Sequence, residues 1–161
     1  RPSNVDFKEV LEPLINFIIE EVTIEIPVIW PIHPRTKNQL KSFGLLSKVE
    51  KCNRIILLQP IDYLDMLRLN IGAKMMLTDS GGLQEECTIL GTPCLTMRWN
   101  TERPITLVKH GGVSILVGNH VDKIREAFIS AIKKDRKPER PELWDGHTAE
   151  RCLEAMLNYR D

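Results

Sequence analysis

"KMMLTDSGGLQEECTILGTPCLTM" runs from Lys74 to Met97 and holds the pattern that decides the fold. An apolar strand, residues 74–78, leads into a loop with two glycines, a helix over 83–90 and a second apolar strand over 93–97. Elsewhere in the chain, the strand predicted over 54–58 shows no polar alternation, as expected of a strand covered on both faces. The stretch therefore predicts one strand–helix–strand unit of a parallel α/β sheet.

The same alternation of strand and helix extends along the rest of the chain. Apolar spacing predicts helices over 6–21, 37–43, 62–70 and 121–133, a further helix between Pro104 and Gly111, and strands over 26–30, 54–58 and 113–117. Residues 134–146 are rich in proline and charge and predict a linker, followed by a last helix over 148–159. We expect a doubly wound parallel sheet in 1–146, and a terminal helix in 147–161 that packs on something other than this sheet.

Composition excludes several classes of protein. Lys plus Arg and Asp plus Glu both total 22, so a formal net charge of zero gives no reason to expect a nucleic-acid or anionic-membrane partner. No apolar run reaches about 18 residues and there is no leader pattern, so we expect a cytoplasmic protein without a membrane span. Four cysteines without a CxxC pair predict reduced thiols and no metal site.

The first residues predict that the chain is part of a longer polypeptide. It opens on Arg1 without an initiator Met and passes almost at once into an amphipathic helix.

The glycine loop has the chemistry of an anion site. Ligands of open α/β sheets bind outside the carboxyl ends of the strands, where this loop lies. Gly81 and Gly82 have no Cβ, so a ligand can approach the main chain, and the positive end of the following helix attracts an anion. Ser80 adds a hydroxyl donor. The predicted ligand is therefore a phosphate or a pyrophosphate.

Glu86 extends this prediction from a phosphate to a nucleotide. It follows Gly82 by four residues, so its carboxylate lies one helical turn further along the same face. A carboxylate there can accept hydrogen bonds from both hydroxyls of a ribose. The alternative is a plain strand-to-helix turn with a Glu that only stabilises the helix dipole. Neither the Walker spacing nor GxGxxG is present, and a phosphoacceptor role for Asp79 lacks the acidic pair that would hold magnesium.

Other polar residues also follow predicted strands. His33 and Arg35 come directly after the first strand and could contact a phosphate, or His33 could be structural and Arg35 could lie in a helix start. Arg98 and Arg103 flank a polar loop with Glu102, and a surface ion pair is the simple alternative for them.

A family resemblance rests on longer strings of residues. "TDSGGLQEE" (78–86), "LGTPCLTMRWNTERP" (90–104) and "GGVSILVG" (111–118) resemble the C-terminal half of the non-hydrolysing UDP-N-acetylglucosamine 2-epimerases. The likeness extends to "RPSN" (1–4), "PIHPR" (31–35) and "PIDYLDML" (60–67). It implies the GT-B architecture, in which this chain is the second of two Rossmann-like domains.

The resemblance also implies a reaction and its partners. Such enzymes eliminate UDP from UDP-GlcNAc, pass through 2-acetamidoglucal, and add UDP back to give UDP-ManNAc. The implied partners are UDP, the UDP-sugar, an N-terminal domain against which the terminal helix packs, and a second copy in a homodimer. No metal, nicotinamide or other cofactor is implied.

Individual residues take roles by the same resemblance. The implied UDP ligands are Ser80, Gly81 and Gly82 at the diphosphate, Glu86 at the ribose, Met66 at the uracil, and Arg103. Met66 stands where the family usually has Phe, so an apolar contact is expected without aromatic stacking. Arg1 and His33 match positions that contact a second, activating UDP-GlcNAc in bacterial members.

The same resemblance implies that no catalytic residue lies in this chain. The family's acid and base carboxylates belong to the first domain, and its active-site His directly precedes the position of Arg1. We therefore expect nucleotide binding without epimerisation. A hydrolysing 2-epimerase, a non-catalytic nucleotide-sugar module and a GT-B glycosyltransferase are the alternatives. Retaining members of the last group often have two Glu about eight residues apart, and the position eight beyond Glu86 is Cys94.

Overall fold

The structure is a computed structural model that describes residues 1–136, 138 and 140–159. The helices are α1 (Pro2–Val5), α2 (Lys8–Phe17), α3 (Thr23–Glu25), α4 (Pro34–Ser42), α5 (Leu46–Glu50), α6 (Tyr63–Gly72), α7 (Gly81–Leu90), α8 (Val121–Ile132) and α9 (Thr148–Asn158). The strands are β1 (Val28–Pro31), β2 (Ile55–Leu58), β3 (Met76–Thr78), β4 (Cys94–Thr96) and β5 (Ser114–Leu116).

All strand pairs of the described chain are parallel, which confirms the predicted α/β class. β1 pairs with β2, with Val28 opposite Ile55, and β4 lies between β3 and β5, with Leu95 opposite Leu77 and Ile115. The strands thus form a two-stranded set, β1–β2, and a three-stranded set, β3–β4–β5. This division was not predicted, because the periodicity of apolar residues along the sequence does not determine the order of strands in a sheet.

Both sets of strands pack on one apolar core. Its fully buried side chains include Leu11 and Ile15 of α2, Leu40 of α4, Leu95 of β4 and Ile124 of α8. Burial of each such side chain stabilises the fold by roughly 1.5–3 kcal/mol. Helices α2 and α8 therefore cover the same side of the molecule.

Two further contacts join α2 and its extension to α8. The rings of Phe17 and Phe128 meet edge to face with centroids 5.9 Å apart. Arg125 of α8 forms an ion pair of 2.7 Å with Glu21, in the turn that follows α2. These contacts fix the first half of the chain against the second.

One predicted helix is wrong, and another extends further than predicted. The helix expected between Pro104 and Gly111 is wrong: two short 3₁₀ turns, Pro104–Thr106 and Val108–His110, take its place. A Cβ on Gly112 would lie 2.1 Å from the Thr106 carbonyl oxygen, so the chain returns too closely for a regular helix. The helix expected over 6–21 is present: α2 continues without a break through a π-helical turn (Ile18–Val22) into α3, and α1 precedes it.

The segment after α8 is fastened to the end of α6. The Arg136 guanidinium donates hydrogen bonds to the carbonyl oxygens of Asn70 (2.7 Å), Ile71 (2.5 Å) and Ala73 (3.0 Å), and to Thr92 Oγ1 (2.7 Å). These carbonyls lie at the negative end of the helix dipole, where a cation is stabilising. The first part of the predicted linker is therefore packed against the domain. Lys137 and Glu139 of that linker lie outside the described residues.

Helix α9 matches the predicted terminal helix but buries none of its residues. Leu153, Met156, Leu157 and Tyr159 are all more than half exposed. Its first turn is held by an ion pair of 2.9 Å between Arg151 and Asp145. Arg160 and Asp161 lie outside the described residues, and the boundary near residue 146 stays a prediction.

The four cysteines are free thiols that differ in access to solvent. Cys87 on α7 and Cys94 on β4 are buried, Cys52 is partly buried and Cys152 is exposed. A hydrogen bond with Cys94, together with burial, raises the pKa of Cys87. Within the described residues, no three His, Cys, Asp or Glu side chains converge as metal ligands. No helix among these residues is both long and apolar enough to cross a membrane.

Candidate nucleotide-binding site

The loop after β3 starts α7 two residues earlier than predicted. Ser80 adopts an extended backbone, and its Oγ accepts a hydrogen bond of 3.4 Å from the Leu83 N–H, so Ser80 is the N-cap and the helix begins at Gly81. Thr78 Oγ1 accepts from the Ser80 N–H at 3.1 Å. The first N–H groups of α7 and its positive dipole end thus lie at the carboxyl end of β3.

The two glycines of the loop have different surroundings. A Cβ on Gly81 would lie 2.3 Å from Nη1 of Arg103, whereas a Cβ on Gly82 would meet nothing within 4 Å. Gly82 is exposed. The space beside Gly81 is therefore filled by the guanidinium of Arg103. The start of α7 is open to a ligand at Gly82.

Glu86 lies one turn beyond Gly82 with an unsatisfied carboxylate. Its Oε2 is buried and has no hydrogen-bond partner in the part of the chain that the structure describes. Burial, with a smaller contribution from the charge of Glu85, raises the pKa of the Glu86 carboxyl. A buried acceptor without a donor costs free energy, and a ligand hydroxyl would remove that cost.

Glu85, for which the sequence suggested no role, binds Arg103. Its Oε2 lies 3.0 Å from Arg103 Nε, and Arg103 Nη1 lies 3.9 Å from Oε2 of Glu102. This contact holds the guanidinium beside the start of α7. A second positive charge therefore adds to the dipole end at the glycine loop.

Gln84 is a structural residue of the site that the sequence analysis missed. It is fully buried, and its Oε1 accepts a hydrogen bond of 3.0 Å from Thr101 Oγ1. Thr101 Oγ1 in turn accepts from the Arg103 N–H at 3.1 Å, and Thr106 Oγ1 donates to the Arg103 carbonyl at 2.8 Å. The amide thus ties α7 to the loop that carries Arg103. An amide beside two glutamates gives no sequence signal, because only its buried orientation distinguishes it.

Asp79 links the loop to the start of the chain. Its Oδ2 accepts from the Arg1 terminal amine at 2.7 Å and from Asn4 Nδ2 at 3.0 Å. Asn4 is buried and also donates to the Met97 carbonyl, 3.1 Å away. Burial works to raise the pKa of Asp79, and the hydrogen bond from Asn4 works to lower it. Helix α1 therefore lies across the carboxyl ends of β3 and β4.

His33 acts as the N-cap of α4. Its Nδ1 accepts a hydrogen bond of 3.1 Å from the Arg35 N–H. Arg35 Nε donates to Asp6 Oδ1 at 2.9 Å, and this hydrogen bond, together with one from Gln39, lowers the pKa of Asp6. With Nδ1 occupied as an acceptor, the neutral ring of His33 offers only an Nε2–H donor to a ligand.

Arg98 is more buried than a surface ion pair would be. Its side chain is 6% exposed, and its Nη2 lies 2.6 Å from Oε2 of Glu102. Nη1 is buried without a hydrogen-bond partner among the described residues. Arg98 lines a groove of about 370 Å³ with Asn100, Thr101 and Glu102. The surface interpretation is therefore wrong for Arg98, since a buried guanidinium with an open donor can bind an acceptor from a ligand.

The predicted site residues fall into two groups. Ser80, Gly81, Gly82 and Glu86 belong to the first six positions of α7 and its cap, and Arg103 contacts this helix start. Met66 is half-buried on α6, which packs against α7. Arg1 lies at Asp79, next to this group, while His33 lies beyond β1 in the other set of strands. The open helix start at Gly82 and the unpartnered carboxylate oxygen of Glu86 thus lie on one helix.

Comparison with known proteins assigns the chain to a protein family. The family model described as UDP-N-acetylglucosamine 2-epimerase matches residues 1–157. The chain belongs to this family. The predicted resemblance is confirmed at that level.

Relatives of known name give the extent of the match. The UDP-N-acetylglucosamine 2-epimerase of Methanocaldococcus jannaschii is 40% identical over 157 residues, which are 97% of this chain and 42% of that protein. The crystal structure of the M. jannaschii epimerase with UDP-GlcNAc and UDP superposes with a TM-score of 0.85, over 98% of this chain and 43% of the other. The chain thus spans less than half the length of these epimerases.

Family members differ in the sugar they are named for. The UDP-2,3-diacetamido-2,3-dideoxy-D-glucuronate 2-epimerase of Pseudomonas aeruginosa is 33% identical over 139 residues, covering 86% of this chain and 37% of that protein. The names of the P. aeruginosa and M. jannaschii epimerases share the UDP moiety but differ in the sugar.

Proposed function

We propose that this chain is the UDP-binding domain of a UDP-N-acetylglucosamine 2-epimerase with the GT-B architecture. Glu86 carries the proposal, because its buried, unpaired carboxylate oxygen lies one turn from the open helix start at Gly82. An anion site and a hydroxyl-binding carboxylate at this spacing suit a ribose linked to a diphosphate. The M. jannaschii relative solved with UDP-GlcNAc and UDP supports this ligand class.

Each ligand residue has a proposed part. The N–H groups at the start of α7, with Ser80 Oγ, bind the diphosphate, and Arg103 supplies a cation held in place by Glu85. Glu86 accepts hydrogen bonds from the ribose hydroxyls. Met66 provides an apolar contact to the uracil.

We further propose that the chain binds UDP without epimerising the sugar. The elimination and re-addition of UDP need an acid and a base at the sugar ring, and we assign these to an N-terminal domain of the longer protein. We propose the non-hydrolysing reaction, with Arg1 and His33 at an activating site. The exposed apolar residues of α9 suit packing on that domain. A homodimer of the longer protein and a cytoplasmic location stay predictions.

Titration calorimetry of the chain with UDP, UMP and uridine tests the binding role. UDP should bind most tightly, since only it places a β-phosphate at the helix start. Equal affinities for UDP and uridine would contradict the assigned phosphate site. Addition of UDP-GlcNAc, followed by NMR of the products, tests the absence of turnover: UDP-ManNAc formed at the rate of a complete epimerase would refute it.

The P. aeruginosa relative supports a second substrate for the longer protein, a diacetamido uronate in place of GlcNAc. The carboxylate of such a sugar would need a cationic partner. Arg98, with a buried and unpartnered Nη1, has the required chemistry. Competition of the two UDP-sugars for the longer protein distinguishes the substrates.

A further inference from the structure

The two fully buried thiols of the chain meet between a helix and the sheet. Cys87 lies on α7 and Cys94 on β4, with relative exposures of 0% and 1%. The two side chains share a hydrogen bond. Along the chain they are separated only by the last turn of α7 and the short connection to β4. They therefore form a dithiol that is enclosed where α7 packs on β4.

Polar side chains surround both sulfurs. Asn70 Oδ1 lies 3.6 Å from Cys87 Sγ, and Thr96 Oγ1 lies 3.6 Å from Cys94 Sγ. Ser114 is the partner of Cys94 in the parallel ladder between β4 and β5, so their side chains lie on the same face of the sheet. Its Oγ is buried without a hydrogen-bond partner among the described residues. The proton of this hydroxyl is available to a charged sulfur beside it.

These surroundings distinguish the two thiols. The hydrogen bond from Cys87 lowers the pKa of Cys94 against the effect of burial, with a further contribution from Thr96. Cys87 is the donor of the shared hydrogen bond, so it keeps its proton when Cys94 ionises. Since the thiolate is the nucleophilic form of cysteine, Cys94 is the attacking sulfur of the pair and Cys87 the resolving one.

Access to the pair depends on motion of α7. Buried thiols react slowly because a reagent cannot reach them in the closed structure. Helix α7 has ten residues, and its first turn is open to solvent at Gly82. Local opening of such an element exposes the groups beneath it, and reclosure returns them to contact. The pair thus suits a slow, reversible oxidation, which is the usual kind of disulfide in a reducing compartment.

We propose that Cys87 and Cys94 are a modification site, at which hydrogen peroxide forms a reversible disulfide that joins α7 to β4. The Cys94 sulfur attacks one peroxide oxygen, the O–O bond breaks, and the leaving hydroxide takes up the thiol proton as water. Cys87 then attacks the sulfenic acid on Cys94: the S–S bond forms, the S–O bond breaks, and the second hydroxide leaves with the Cys87 proton. Two thiols lose two electrons and two protons, and one peroxide becomes two water molecules.

The disulfide acts on the helix that carries the candidate site. Ser80 caps α7, and Cys87 lies less than two turns from the helix start. A covalent link from this position to β4 restricts the unfolded chain and opposes the separation of helix and strand. The oxidised chain should therefore resist urea at higher concentrations than the reduced chain. This inference rests on the buried thiols and not on the proposed nucleotide.

Mass spectrometry of the chain after peroxide treatment tests the proposal. Trypsin cleaves after Lys74 and Arg98, so one peptide carries both thiols and neither Cys52 nor Cys152. The treated chain is unfolded, its remaining thiols are alkylated with iodoacetamide, and the labels on this peptide are counted. We expect the peptide to lose two hydrogens and both labels, and reduction with dithiothreitol before alkylation to restore both. Methionine oxidation in the same peptide leaves the label count unchanged.

Variants separate the roles of the thiols. Cys52→Ser and Cys152→Ser are the controls, since each removes a thiol outside the pair, and both should form the disulfide as wild type does. Cys87→Ala should leave Cys94 as a sulfenic or higher acid, because the resolving sulfur is absent. The midpoint of urea unfolding of the oxidised wild type should rise and return after reduction.

Three results would overturn the proposal. The first is a peptide that keeps both labels after a treatment that oxidises all of the exposed Cys152. The second is a disulfide from Cys87 or Cys94 to Cys52 or to a second copy of the chain. The third is a lower urea midpoint for the oxidised chain, since a link that destabilises the fold is not one for which the native packing positions the two sulfurs.

Discussion

The guanidinium of Arg103 occupies the space that a side chain on Gly81 would need. An ideal Cβ on Gly81 would lie 2.3 Å from Nη1 and 2.8 Å from Cζ of Arg103. Gly82, its neighbour, has open space at the same position. The two adjacent glycines therefore have different surroundings, so substitutions at each can be distinguished.

Replacement of Gly82 by Ala should weaken UDP binding while leaving the fold intact. Its Cβ would enter the open approach to the helix start, where we place the diphosphate, and we expect about a tenfold loss of UDP affinity, or ~1.4 kcal/mol. Ala is the better helix former, so stability should not fall. Calorimetry with UDP and uridine measures the effect, which should be confined to UDP. Unchanged UDP affinity would show that the phosphate does not approach Gly82.

Replacement of Glu86 by Gln should reduce the affinity for uridine and UDP alike. A hydrogen bond to a charged acceptor contributes roughly 1.5–3 kcal/mol, which corresponds to a loss of about 10-fold to 100-fold. The matched control is Glu85→Gln, which removes the partner of Arg103 and a negative charge near Glu86 but keeps the Glu86 carboxylate, and should leave uridine binding at neutral pH unaltered. Equal effects of the two substitutions on uridine would contradict the ribose role of Glu86.

UDP affinity should fall as the pH is lowered through the raised pKa of Glu86. Burial raises this pKa above its usual value of 4.5, so the carboxyl takes up a proton in the folded chain before it would in the unfolded chain. Protonation replaces one acceptor by a donor and weakens the bond to a ribose hydroxyl. Uridine titrations between about pH 4 and pH 8 measure this, since uridine has no phosphate to titrate. The Glu86→Gln variant should lose this dependence.

The same shift gives a stability prediction with a definite sign. Because the folded chain binds the Glu86 proton more tightly than the unfolded chain, the free energy of unfolding falls as pH rises from the unfolded pKa through the folded one. Glu86→Gln removes this loss, so the variant should gain stability relative to wild type above that window. Urea denaturation at low and neutral pH measures the difference. A pH-independent difference between the two proteins would argue against the shift.

Replacement of Gln84 by Leu should destabilise the chain by about 1–3 kcal/mol, because the Thr101 hydroxyl loses its buried acceptor. Thr101→Val is the control that removes a single hydroxyl from the same contact. Urea denaturation measures the stability of both variants. Hydrogen exchange should also show faster opening of the Arg103 N–H, which bonds to Thr101. Wild-type stability of the Leu variant would show that the amide does not hold this loop.

Replacement of Arg136 by Ala should cost about 1.5–3 kcal/mol of stability, since it removes a charged donor from three carbonyls at the end of α6. Arg136→Lys keeps the charge without the planar fork and should recover only part of the loss. Lys74→Ala, which removes one hydrogen bond to the Lys134 carbonyl, is the control for the same segment. Thermal unfolding of the three variants ranks their stabilities, and equal stability of Arg136→Ala and wild type would contradict the stabilising role of the Arg136 hydrogen bonds.

Sequence periodicity predicted the features that depend on local chemistry. The strand–helix–strand unit around Gly81 was predicted because two short apolar stretches flank a helical stretch that lies between glycines. The candidate site was placed at the carboxyl end of its first strand, where open α/β sheets bind ligands. The short helix α5 and the 3₁₀ turns after Arg103 were not predicted. Their form depends on tertiary contacts, such as the close approach of Gly112 to Thr106.

Burial of polar groups was the main limit on predicting the site. Arg98 and Gln84 have the residue types of exposed positions, and only the fold shows that both side chains are buried. His33 was correctly placed at a strand end, but its capping of α4 through Nδ1 depends on the backbone of Arg35. Long-range geometry, not composition, decides such roles.

Because the four thiols differ in access to solvent, their rates of chemical modification report local opening of the fold. Cys152 is exposed and should react with a thiol reagent at once, whereas Cys87 and Cys94 react only when α7 parts from β4. Because α7 carries Ser80, Gly82 and Glu86 at its first turns, any ligand that settles there should slow the modification of these two sulfurs. Occupancy of the site could therefore be timed by mass spectrometry, on the native sequence and without a label.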